Sequence, residues 1–187
     1  MRIVVGGASG MIGRALVARL RERGDRVTVL VRREAEGADE LRWDPADGHL
    51  DPAALAGADA VVNLSGESIS KLPWTGRRRA AILASRVQAT TAIVGALHAR
   101  ADAGEPVPVL VSGSAVGVYG DRPGERLTEA AGPGGGFLAS VVRAWEAAAG
   151  EAPDATRVVL ARTGLVIGPE GATAPLRMLA RLGLAGP

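Results

Sequence analysis

A glycine triplet, Gly7-x-x-Gly10-x-x-Gly13, lies directly between a β-branched run, Arg2 to Val5, and a segment where Ile12, Ala15, Leu16 and Leu20 recur at helical spacing up to Gly24. This order of strand, glycine turn and helix constrains the fold more than any other feature. The three glycines serve different ends, namely a tight turn, close approach of the backbone to a pyrophosphate, and packing of the helix on the strand. Free amides and the helix dipole near Met11 and Ile12 favour an anion there. Gly7, Ser9, Gly10, Met11, Ile12 and Gly13 are therefore the expected phosphate-binding loop, with a glycine turn that holds no ligand as the competing reading.

The rest of the chain repeats the alternation. Val27 to Val31 is a nearly continuous apolar run, as in a strand covered on both faces. Asp51-Pro52 opens a short helix that Gly57 closes, and Ala58 to Leu64 is a further buried strand. A long helix follows over Thr75 to Arg100, then a strand at Val107 to Ser112, a helix at Phe137 to Ala149, a strand at Arg157 to Ala161 and a helix at Ala174 to Leu182. Strands alternating with helices predict an α/β fold, a Rossmann-like doubly wound parallel sheet in three α/β/α layers. Two Gly/Pro-rich stretches, Arg122 to Gly136 and Thr163 to Gly171, follow strands, where such sheets carry ligand loops.

Composition narrows the function classes. Across 187 residues, 47% are hydrophobic and 22% charged, which fits one globular domain and argues against a disordered chain. There is no cysteine, so disulfides, thiolate metal sites and cysteine nucleophiles are excluded; two isolated histidines, His49 and His98, leave no expected metal site. The chain shows no run of about 18 apolar residues and no secretory leader pattern, so no membrane partner is expected and cytoplasm is the expected compartment. Net charge is +2, and only three Trp, one Tyr and one Phe are available for stacking, so nucleic acid is not an expected partner.

An acid that holds the ribose 2′-hydroxyl of NAD usually stands about twenty residues beyond the glycines. Here the end of the second strand reads Val31-Arg32-Arg33. Two guanidiniums suit a 2′-phosphate, with Arg14 as a third positive group, and the expected cofactor is NADP (NADPH). A shift of register that makes Glu34 the acid is the alternative.

These residues, with the blocks Trp43-Asp44-Pro45, Ala58 to Ile69, Ser85-Arg86, Ser112 to Gly120, Leu127-Thr128-Glu129, Phe137-Leu138-Ala139, Trp145-Glu146 and Arg162 to Gly168, resemble the atypical and extended short-chain dehydrogenase/reductases. The resemblance is closest to the epimerase family of short-chain dehydrogenase/reductase 39U1. It implies Asp44 near the adenine, Leu64, Ser65 and Gly66 beside the cofactor, Thr163 to Val166 toward its nicotinamide end, and Ser112 among the cofactor-binding residues. Relatives act on small molecules, often pair as homodimers through helices equivalent to the two longest here, and continue into a C-terminal substrate-binding region. Residues 1–187 thus read as one NAD(P)-binding domain cut short before that region.

The superfamily's acid/base pair is a Tyr followed four residues later by a Lys that lowers its pKa. The single Tyr119 is followed at that spacing by Pro123, and the positions where the pair is expected hold Phe137 and Val141. Ser114 matches the serine that holds the substrate oxygen, and Tyr119 and Glu129 complete the expected catalytic set, with Glu67 as a further carboxylate. Three readings stay open: an oxidoreductase or epimerase acting on a hydroxyl or carbonyl, an NADP-binding sensor without turnover, and a chain that mainly offers an interaction surface, such as a dimer through the helices at Thr75 to Arg100 and Phe137 to Ala149. The run Lys71 to Arg79 puts three arginines at a helix start, against the dipole, which suits either an acidic ligand or a solvated face.

Overall fold

The computed structural model describes residues 1–70, 72–167 and 180–181. Six parallel strands form one sheet: β1 (Arg2–Gly6), β2 (Arg26–Val31), β3 (Glu40–Arg42), β4 (Ala60–Asn63), β5 (Val109–Ala115) and β6 (Val158–Thr163). Their spatial order is β3-β2-β1-β4-β5-β6. The order reverses between β1 and β4, the point at which an open α/β sheet leaves a crevice outside its strand ends.

Period-two alternation sends each strand's side chains to opposite faces. Val4, Val61 and Leu110 point into the larger core, where they meet Ile93 and Leu97 of helix α2 (Gly76–Asp102) and Ala149 of helix α3 (Phe137–Gly150). Ile3, Val5 and Val62 point the other way, onto Val17 and Leu20 of helix α1 (Met11–Glu22). Helices therefore cover both faces, as the alternation of elements predicts.

Helix α2 begins where the sequence places it, with Thr75 as the cap: its Oγ1 accepts from the Arg78 amide at 3.2 Å. By length and composition this helix is apolar enough to cross a membrane, although Arg86 and Gln88 interrupt any unbroken apolar run within it. Ile82, Ala89, Ile93 and Leu97, all fully buried, line its sheet-facing side, the pattern of a core helix.

The structure differs from the sequence reading at one strand and several boundaries. β3 is an edge strand of three residues, two of them charged, and so presents no apolar run. The short helix after Asp51 is a 3-10 turn, Pro52–Leu55, capped by the Asp51 carboxylate on the Ala53 amide at 2.9 Å. β5 runs on to Ala115 and β6 to Thr163, which carries Ser114 and Arg162 into register as neighbours. The helix expected over Ala174 to Leu182 lies almost wholly outside the described residues.

Candidate functional site

The glycine loop behaves as its spacing requires. Gly7 has φ of +79°, and a Cβ there would stand 2.5 Å from the Leu64 carbonyl carbon and oxygen, so only glycine lets the first loop meet the end of β4. A Cβ on Gly13 would stand 2.7 Å from Ala8 Cα, so α1 packs tightly behind the loop. Helix α1 starts at Met11 with Gly10 as its cap residue, no side-chain cap and no acid in its first turn. Its leading amides are thus left for water or for an anion.

In front of this helix end lies a cavity of about 1180 Å³. Gly7, Ser9, Gly10, Arg32, Arg33, Asp44, Leu64, Ser65 and Gly66 all border it, which gathers most of the expected cofactor residues. Met11, Ile12, Gly13, Ser112 and Thr163 do not border it. Ser112 is fully buried in β5, and Thr163 donates from Oγ1 to the Ser114 carbonyl at 3.0 Å. Asp44 borders the cavity while its Oδ1 accepts from the Ala46 amide at 2.9 Å, capping the 3-10 turn Pro45–Asp47.

The two arginines after β2 divide. Arg33 forks onto Glu40 at 2.8 and 2.7 Å, reaches Glu36 at 3.4 Å, and donates to the Glu34 carbonyl at 2.7 Å. Its guanidinium holds the Glu40 carboxyl below its ordinary range and is itself raised by it. Glu34, the alternative acid, pairs with Arg42 at 3.1 Å. Arg32 is exposed at the cavity wall and makes no ion pair among the described residues.

Asn63, which sequence reasoning did not single out, fixes the far wall. Fully buried at the end of β4, its Oδ1 accepts from the Ser65 amide at 3.1 Å and its Nδ2 donates to Thr90 Oγ1 at 3.0 Å. The turn Leu64-Ser65-Gly66 is thereby tied to α2.

A second polar cluster forms where β5, β6 and α3 meet. Ser114 Oγ donates to Glu146 Oε1. Arg162 forks onto the same carboxylate at 2.8 and 2.9 Å, and donates through Nη1 to the Tyr119 hydroxyl at 2.9 Å and to the Glu129 carbonyl at 3.0 Å. Arg162 and the Ser114 hydroxyl hold the Glu146 carboxyl below its ordinary range, against the opposing pull of burial; Arg162 is raised in turn, chiefly by Glu146. Ser114 and Tyr119 are both buried. Of the expected catalytic set, Ser114 and Tyr119 bring side chains to this cluster and Glu129 brings its backbone. Glu146 and Arg162 were not expected, although both lie in blocks that carry the resemblance. Glu67 is elsewhere, paired with Arg78 at 2.7 Å. Phe137 opens α3, edge-on to Trp74 at 5.7 Å, and Val141 is buried core.

The strand order, the glycine loop and the crevice cavity define a dinucleotide-binding α/β domain of the short-chain dehydrogenase/reductase type. The chain belongs to the NAD dependent epimerase/dehydratase family, which it matches over residues 3–183. An epimerase family protein of Mycobacterium bovis is 41% identical over 90% of this chain and 55% of its own length. Epimerase family protein SDR39U1 of Bos taurus is 38% identical over the whole chain and 62% of its own length. The chain thus spans little more than half to about three-fifths of these relatives. Among solved structures, human SDR39U1 with NADPH superposes with a TM-score of 0.85 at 33% identity, over 100% of this chain and 62% of that one. A nucleoside-diphosphate sugar epimerase from Corynebacterium glutamicum superposes at 0.80 and 36% identity, over 96% of this chain and 37% of that one.

Proposed function

We propose that the chain binds NADP(H) and carries out hydride chemistry on a small hydroxyl or carbonyl substrate held at Ser114. The observation that carries the reading is the pairing of an uncapped helix end behind Gly7 and Gly13 with a guanidinium, Arg32, that has no ion-pair partner among the described residues, on the same cavity. The amides of α1 suit the pyrophosphate, and Arg32 suits a 2′-phosphate. Arg33 supports Arg32 by fixing the loop and does not share the reading. That human SDR39U1 was crystallised with NADPH agrees with this choice of dinucleotide. When bound, the dinucleotide supplies the hydride donor or acceptor.

The residues around Ser114 handle the substrate oxygen. Because its proton is given to Glu146, Ser114 offers lone pairs and receives a substrate hydroxyl as acceptor. Glu146 stays a carboxylate under Arg162 and keeps Ser114 in that orientation. Tyr119 accepts from Arg162, which leaves the phenol hydrogen free to donate. A fixed cation on a phenol oxygen is the arrangement that the lysine of the usual pair supplies, so Tyr119 with Arg162 takes the place left open at Phe137 and Val141.

The test is thermal unfolding with NADPH and NADH in parallel. At a hundred times its dissociation constant a ligand adds about 2.7 kcal/mol, roughly 5–10 °C for a chain of this size. NADPH is expected to stabilise more than NADH, with the preference lost in R32A and kept in R33A. Equal shifts, or a preference that survives R32A, would overturn the assignment. A sensor without turnover, favoured by Phe137 and Val141, predicts NADPH binding but no oxidation of NADPH by any member of a carbonyl panel.

A further inference from the structure

Arg86, on α2, takes no part in the chemistry proposed so far. Its half-buried guanidinium lies between Gly66, where a Cβ would stand 3.1 Å from Cζ, and the ring of Trp145, whose centroid is 5.4 Å from Cζ. Nη1 donates to the carbonyls of Glu67 at 3.1 Å and Ile82 at 2.9 Å. Nε and Nη2 make no hydrogen bond to the described residues, yet neither is sealed from solvent. Burial pushes the Arg86 pKa down, and Glu67 offsets this only in part, because its carboxylate is committed to Arg78 at 2.7 Å. A guanidinium drawn partly out of water without a carboxylate on it is unfavourable unless something anionic completes it.

Its position says what that is. Gly66 borders the nucleotide cavity; the Trp145 ring packs on Gly113, beside Ser114, and Trp145 precedes Glu146 in α3. Arg86 therefore stands where the cavity meets the Ser114 cluster. Arg77 and Arg79 are exposed toward the start of the same helix, Arg79 lying 5.3 Å over Phe137, and Glu67 of the preceding turn is already paired with their neighbour Arg78.

We propose that Arg86 docks an anionic substrate, a small hydroxy compound bearing a carboxylate or a phosphate, with its hydroxyl turned to Ser114. The proposal rests on the assignment of Ser114 to the reacting oxygen. Ser114 accepts from the hydroxyl, and Nε and Nη2 of Arg86 donate to the anion.

The test is calorimetric titration of the NADP⁺-saturated chain, which removes the phosphate loop and Arg32 as rival anion sites. The probes are glycerol 3-phosphate against glycerol, and lactate against propane-1,2-diol. At least one anion is expected to bind about tenfold or more tightly than its neutral partner. R86Q should erase that difference while leaving NADP⁺ affinity unchanged, and R86K should keep only part of it, because a point charge replaces the fork. No preference for either anion, or a preference that R86Q leaves intact, overturns the proposal; so does weakened NADP⁺ binding in R86Q, which assigns Arg86 to the cofactor. Should R86Q fail to fold, R86K decides, since an unchanged preference there also overturns it. If NADP⁺ itself does not bind, the functional reading fails separately, and the same titrations without dinucleotide decide whether Arg86 selects anions.

Discussion

Removal of Arg162 tests the physics of the Ser114 cluster without any knowledge of the substrate. The Glu146–Arg162 pair is bidentate at 2.8 and 2.9 Å, with side chains only 13% and 23% exposed. It thus lies between a surface pair, worth at most about 1 kcal/mol, and a fully buried one, whose rupture costs about 3–5 kcal/mol. R162A leaves a largely buried carboxylate with Ser114 as its remaining donor, and about 3 kcal/mol of destabilisation is expected at neutral pH. E146A leaves Arg162 bonded to Tyr119 and the Glu129 carbonyl and partly open to water, and should cost about 1.5–2 kcal/mol. The double variant should fall short of the sum by about 2 kcal/mol, read from urea unfolding of all four proteins. The pH dependence has a definite sign. In the parent chain the folded-state pKa of Glu146 is depressed, so its contribution is present above the unfolded pKa and fades as pH falls through the folded value. Without Arg162 burial pushes that pKa upward, so R162A should recover toward the parent as the solution is acidified to about pH 4–5. Additive single variants, or an R162A deficit that does not narrow in acid, would refute this account of the cluster.

Two further perturbations address the nucleotide side. Gly7→Ala combines a positive φ with a contact against the Leu64 carbonyl, and should lower stability by about 2–4 kcal/mol and abolish the NADPH-induced thermal shift. Asn63→Ala removes the acceptor for the Ser65 amide and one Thr90 contact, and should cost about 2 kcal/mol in urea unfolding while NADPH affinity falls. An Asn63→Ala protein that keeps both the parent's stability and its affinity would show that the turn is set by β4 alone.

The parallel sheet was legible because its inner strands are short apolar runs and its first loop admits only glycine at two points. β3 was not, since Glu40-Leu41-Arg42 at a sheet edge carries the charge that keeps edges soluble. The glycine turn proposed to hold a phosphate through its backbone was readable from spacing, as with Gly7 and Gly10. The Ser114 partners were not: Glu146 and Arg162 are 16 positions apart, on a helix and a strand, and meet only once α3 packs against β5 and β6. The same limit applied at β2, where two adjacent arginines look equivalent until the loop folds and Glu40 takes one of them.

That split at β2 bears on how such a protein diverges over time. Arg33, with Glu40, Glu36 and the Glu34 carbonyl, maintains the loop whatever nucleotide occupies the cavity. Arg32 contributes nothing to that framework and is bound to no part of it. On the proposed reading of Arg32, a change at position 32 alone would exchange one dinucleotide for another with little loss of fold stability, whereas a change at position 33 would loosen the loop itself. On that reading, scaffold and preference rest on two adjacent residues that carry different loads.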